Sequence, residues 1–327
     1  MFNEYYHLKE EPFRLTPDPR FLHMAEPHRA ALNALLYGVA MRKGLAVVTG
    51  PVGCGKTTLL HTLLELLAQG RVSKAEFASA IIVNPTLSRD EFFELLLDEF
   101  EITCPSPSKS QRLLALEKIF RNIDRRGGTC VLFIDEAHLL SIELLEEIRL
   151  LSNIDTHSGK LLQVILSGQV ELFQILDKPE TRALKQRIAT RCQIRALSFP
   201  ETQLYIADRL RAAGLTGPDP FSSQALEVVY RYGQGVPRLI NLICDGCLCI
   251  GFQAQRNIIE PDIVHEAANA LDLTEVKVEE PAVIRHLLPT GATEPSQVLG
   301  STVDVLIQAM KKGLNEARAH GQFAMRE

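Results

Sequence analysis

The chain has 327 residues, 46% of them hydrophobic and 23% charged, with a formal net charge of −5; this is an ordinary globular balance with no overall drive toward nucleic acid or an anionic membrane. The length suits one large domain or two modest ones, and no apolar run approaches the roughly 18 residues that span a bilayer. Seven cysteines without a framework spacing fit a reducing compartment, and the start Met1-Phe2-Asn3-Glu4 lacks the basic residues and apolar core of an export signal, so a cytoplasmic location is expected.

Residues 1–44 read as an approach to the core. An irregular segment holds Phe13, Pro17, Pro19 and Phe21, and a helix follows from about Pro27 to Arg42. From there strands at 45–49, 80–84, 130–134, 162–167 and 192–197 alternate with helices at 56–68, 89–100, 110–126, 141–154 and 169–176. Such alternation predicts an α/β domain over 45–199, a parallel sheet with helices on its faces. Past Pro200 the strand pattern stops, and helices at 201–213, 222–232, 236–252 and 260–271 predict a small all-helical domain over 200–272. Residues 273–300 read as a linker. Residues 301–327 read as an amphipathic helix and tail, with Val303, Leu306, Ile307, Met310, Leu314 and Ala317 on one helical face. That face suits packing on the protein's own body or docking to a partner.

Gly50-Pro51-Val52-Gly53-Cys54-Gly55-Lys56-Thr57-Thr58 joins the first strand to the next helix and fits G-x-x-x-x-G-K-[ST], the phosphate-binding P-loop. Its glycines let successive N–H groups turn inward on an anion, and the helix dipole points at the same place. Lys56 is placed to reach the β- and γ-phosphates of ATP, and the Thr57 hydroxyl to hold Mg²⁺. The apolar strand Val131-Leu132-Phe133-Ile134 ends in Asp135-Glu136, the Walker B pattern. Asp135 would hold a water of the Mg²⁺ shell, and Glu136 would polarise the attacking water. Ala137-His138 extends the acids to the letters of DEAH helicases, but no segment carries those enzymes' arginine-bearing motif. His138 is expected as a turn residue or a contact beside the acids.

Other strand ends carry polar residues. Asn84 either holds Glu136 away from water or simply turns the chain into the next helix, since Pro85 and Ser88 follow. Ser167 and Gln169 both qualify to touch the γ-phosphate or its water. The run from Arg182 to Arg195 holds Arg182, Lys185, Arg187, Arg191 and Arg195 without an acid. It reads as an arginine finger acting on a neighbouring subunit or as contacts to nucleic acid phosphates. Gly235-Val236-Pro237-Arg238 opens a helix from which Arg238 can reach over a nucleotide. Cys244, Cys247 and Cys249 sit in an apolar helical pattern and read as small buried hydrophobes.

Taken in order, these motifs resemble the AAA+ ATPases. That resemblance implies a P-loop NTPase fold with a five-stranded parallel sheet sandwiched by helices, the P-loop strand central, and a helical lid. It also implies ATP and Mg²⁺ as cofactors and a homo-oligomer. Thr190-Arg191-Cys192 resembles the Ser-Arg-Cys signature of clamp loaders, read as lying just before the fifth strand, which makes Arg191 the candidate finger in trans, with Arg187 in reserve. Arg238 matches the family's second sensor. More narrowly, Tyr6-His-Leu-Lys-Glu-Glu-Pro12-Phe13-Arg-Leu-Thr16-Pro17-Asp18-Pro19-Arg20-Phe21-Leu22, Leu36-Tyr37-Gly38 and Gly235-Val-Pro237-Arg238-Leu-Ile240-Asn241-Leu-Ile-Cys244-Asp245 resemble the general secretion pathway A, or ExeA-type, ATPases over about 1–272. This implies a protein partner in secretion or envelope assembly. ExeA-type proteins carry a membrane segment and a peptidoglycan-binding domain after the ATPase, and here a linker and one helix are expected instead. The TniB-like and MuB-like transposition ATPases share the core and bind DNA when assembled, so an ATP-dependent DNA-binding regulator is the alternative.

Overall fold

The computed structural model describes residues 2–15, 25–70, 77–104, 108–157 and 159–275. Its framework is one parallel sheet built from β1 (Leu45–Thr49), β2 (Phe77–Ile82), β3 (Thr129–Ile134), β4 (Leu162–Gly168) and β5 (Ile188–Gln193), in the order β2-β3-β4-β1-β5. Every residue of β1 and of β4 is buried, as continuous apolar runs require when helices cover both faces of a sheet. The strand before the P-loop is interior, but the middle place belongs to β4, because β5 adds on the far side of β1. The register runs Leu45↔Val164 to Thr49↔Gly168 and Cys130↔Leu162 to Ile134↔Leu166, so β1, β3 and β4 end together. Ligands of such sheets bind beyond these carboxyl ends.

Helices α1 (Glu26–Ala40) and α2 (Lys56–Ala68) cover one face. Leu35, Leu59 and Leu63 pack there on Val48, Phe133 and Ile165. Helices α3 (Arg89–Glu99), α4 (Lys109–Arg125), α5 (Ile142–Leu151) and α6 (Glu171–Leu176) cover the other, with Phe92, Phe93, Phe120 and Leu144 against Leu132, Val164 and Leu166. Local chemistry sets the starts: Ser88 and Glu91 close a capping box on α3.

A third cluster belongs to α7 (Phe199–Ala212), α8 (Ser223–Gly233), α9 (Pro237–Gln253) and α10 (Pro261–Ala270). Tyr6, Leu8 and Phe13 are part of it. The first residues therefore pack on the helical lid rather than simply leading into the sheet. Buried Arg209 fastens them, donating from Nε to the Pro12 carbonyl at 2.6 Å and from Nη2 to that of Arg14 at 3.0 Å. Cys244 and Cys247 are fully buried in the same cluster, and burial pushes both thiols up.

The fifth strand departs from expectation. It begins at Ile188 rather than 192, because pairing with β1 runs from Leu45↔Ile188 through a register shift to Thr49↔Gln193. Ile188-Ala-Thr-Arg-Cys-Gln turns Ile188, Thr190 and Cys192 inward and Ala189, Arg191 and Gln193 to the exposed side, an edge-strand pattern easily read as a loop. The hairpin Asp155–Thr156 with Gly159–Lys160 has no counterpart among the predicted elements. Pro17, Pro19, Phe21, the greater part of the linker and the amphipathic helix and tail expected over 301–327 lie outside the described residues.

Candidate nucleotide site

The P-loop leaves β1 and curls before α2. Gly53 and Gly55 have φ of 78° and 85°, open to glycine at little cost. A Cβ on Gly50 would stand 2.6 Å from the Ile194 carbonyl oxygen. No side chain caps α2, so its first N–H groups remain for an anion. Lys56 is 6% exposed, and its Nζ donates to the Gly50 and Pro51 carbonyls at 2.9 and 3.0 Å. A buried ammonium on neutral acceptors, beside an uncapped helix start, is the donor set a polyphosphate fits.

The acids lie where that fit requires them. Asp135, 5% exposed, accepts from the Thr57 hydroxyl at 2.6 Å through Oδ2 and from the Glu136 N–H at 3.0 Å through Oδ1. Its own N–H donates to the Ile82 carbonyl at 2.9 Å, which fixes the turn out of β3. A hydroxyl and a carboxylate in contact are hard oxygen ligands suited to Mg²⁺. Glu136 follows in the left-handed region, with φ 49°.

Comparison with known proteins agrees with this geometry. Residues 39–176 match the family described as AAA domain. Over 266 residues, 80% of this chain, the sequence is 37% identical to general secretion pathway protein A of Aeromonas hydrophila. The chain carries an AAA domain. It spans 47% of the length of that relative. Among solved structures, Drosophila ORC bound to DNA superposes with TM-score 0.63 at 20% identity, covering 81% of this chain and 65% of that one. Cdc6p from Pyrobaculum aerophilum gives 0.58 at 20%, covering 79% and 70%. Both likenesses speak to the fold.

Around this AAA+ centre the other predicted residues divide. Ser167 is fully buried one step past the Ile134↔Leu166 pair, so it neighbours Asp135, and its Oγ has no hydrogen-bond partner among the described residues. The Gln169 side chain instead lies against His138, Nε2 to Nε2 at 3.1 Å. Asn84 is exposed, and its Oδ1 accepts from the Thr86 N–H at 3.3 Å, the turn role rather than a contact to Glu136. The Arg238 N–H donates to the Gly53 carbonyl at 3.2 Å, and a Cβ on Gly53 would meet Arg238 Cβ at 2.8 Å. The start of α9 thus rests on the P-loop, with Gly50–Thr58 and Arg238 in one place.

Arg191 is not at this centre. It lies inside β5, exposed, with Nη2 on the Lys185 carbonyl at 3.3 Å. The residue just before the strand is Arg187, also exposed. Two further cations of the basic run are paired. Lys185 bonds Asp177, and Arg195 meets Glu201 at 2.7 and 3.0 Å. His28 was not anticipated: its Nε2 meets the Cys54 carbonyl at 2.7 Å, bracing the P-loop from α1. A histidine 26 residues upstream leaves no local pattern that points to this contact.

Proposed function

We propose that the chain is an AAA+ ATPase that binds ATP with Mg²⁺ and hydrolyses it as a homo-oligomer, driving assembly or remodelling of a protein complex. The observation that carries the reading is the Thr57–Asp135 contact of 2.6 Å beside a buried Lys56 whose partners among the described residues are two carbonyls. The P-loop N–H groups and Lys56 would take the phosphates, and Thr57 and Asp135 would hold the metal. Bound Mg²⁺ would neutralise charge on the phosphate oxygens. Glu136 would orient the attacking water, and Ser167 would contact the γ-phosphate side of the site. Arg238 would sense the nucleotide from the lid.

For the finger in trans, the strand boundary now favours Arg187 over Arg191. Arg187 is the residue just before β5, whereas Arg191 lies within it. The relative's name supports a partner in a secretion system. A DNA-binding regulator is less well supported, since Lys185 and Arg195 already pair with acids. Among the described residues no helix is long and apolar enough to cross a membrane.

The deciding experiment is Lys56→Ala in the full chain, with ATP affinity and turnover measured. Loss of about 2 kcal/mol, roughly 30-fold in affinity, is expected for a buried charge-assisted contact. Unchanged binding and turnover would refute the site. A parallel DNA titration with ATP present is expected to show no salt-sensitive binding.

A further inference from the structure

The chain turns back on Glu136 immediately after leaving β3. Glu136 has φ 49° and ψ 35°, and Ala137–Leu139 form one 3-10 turn. The left-handed residue is uncommon for a side chain of this kind. It brings the His138 ring between two elements. Nδ1 lies 3.4 Å from Glu136 Oε2 and 3.4 Å from the Gln169 backbone nitrogen, so it can accept from the one N–H or donate to the carboxylate according to its tautomer. Nε2 lies 3.1 Å from the Gln169 side-chain nitrogen. Glu136 Oε2 is buried without a hydrogen bond among the described residues, although the side chain is 41% exposed.

A neutral imidazole has one donor nitrogen and one acceptor. With the hydrogen on Nε2, the ring accepts the Gln169 N–H at Nδ1 and offers nothing to Glu136. With the hydrogen on Nδ1, it can donate to Glu136 Oε2, and Nε2 then accepts from the Gln169 amide. The side-chain amide selects between the two. Its NH₂ toward the ring requires the second arrangement, and its oxygen toward the ring requires the first.

We propose that His138 is a positioning residue through which Gln169, just past the end of β4, sets the orientation of the Glu136 carboxylate for hydrolysis. The part that Asn84 was suited to play falls to a histidine two residues beyond the glutamate. The inference rests on the reading of Glu136 as the water-orienting group. A carboxylate free to rotate spends little time in line with its water, and small misplacements of a reacting group cost large factors in rate.

The test measures steady-state ATP turnover and ATP affinity of the full chain with Mg²⁺. His138→Ala is expected to lower kcat about tenfold while KM and affinity stay within about twofold. Gln169→Ala should do the same, and the double variant should be no slower than either single one, since residues acting as a unit are not additive. His138→Asn, whose amide sits near the Nδ1 position, should recover most of kcat. Unchanged kcat in His138→Ala, multiplied losses in the double variant, or loss of ATP affinity in step with kcat would overturn the proposal. The parent reading fails separately: Glu136→Gln turning over at the wild-type rate removes Glu136 itself, whatever the His138 variants do.

Discussion

Asp135 and Glu136 are adjacent carboxylates with separate surroundings. Asp135 has both oxygens engaged, by the Thr57 hydroxyl and the Glu136 N–H, so its place is fixed. Glu136 is half open, with one buried oxygen beside His138. Changing Glu136 to Gln keeps the shape and removes the base. ATP binding should therefore persist while turnover falls by about 10²- to 10⁴-fold, the usual contribution of a general base. Single-turnover hydrolysis alongside equilibrium binding checks both halves of that expectation.

At the level of elements, two joints decide how the lid is carried. Gly235 has φ 71°, and a Cβ there would fall 1.9 Å from the Leu197 carbonyl oxygen, while its own carbonyl accepts from the Leu197 N–H at 2.8 Å. Gly235→Ala should cost about 3 kcal/mol through strain and overlap, read as a lowered midpoint in urea unfolding. The second joint is the start of α7. Arg195, and then Ser198, hold the Glu201 carboxyl down at about 2 from the usual 4.5. A depressed carboxyl stabilises the fold above its unfolded value and loses that contribution as pH falls toward the folded one. Glu201→Gln should thus destabilise by about 1 kcal/mol at pH 7, and the difference from wild type should shrink between about pH 4.5 and pH 2. Denaturation curves of both proteins at several pH values test the sign.

Across the whole of the described body, sheet domain and lid meet at the phosphate loop. Arg238 touches Gly53 from the lid, and His28 braces Cys54 from α1. Residues 2–15 return to the lid through Tyr6, Leu8 and Phe13. A nucleotide held at the loop would therefore act on both parts at once. Subunit-to-subunit action is tested by mixing. Arg187→Ala should bind ATP normally but lose turnover by about 10³-fold, as for a finger in trans. Mixing it with Lys56→Ala subunits should restore part of the activity, because each supplies what the other lacks. Restoration by Arg191→Ala in place of Arg187→Ala would return the assignment to Arg191.

The local patterns were enough for the elements that carry the phosphate chemistry. A five-residue apolar run directly before G-x-x-x-x-G-K-T reads as a buried strand meeting a helix, so β1, the P-loop and α2 are legible, as is Asp135-Glu136 at the end of β3. The start of edge strand β5 is not legible, because a short run with only Cys192 buried and Ala189, Arg191 and Gln193 exposed resembles a loop until β1 is there to pair with it. The contacts of His138 with Gln169, of His28 with Cys54 and of the first residues with the lid join segments far apart in the chain. Short-range periodicity carries no record of such distances, and only packing of the sheet, lid and α1 against one another brings those atoms together.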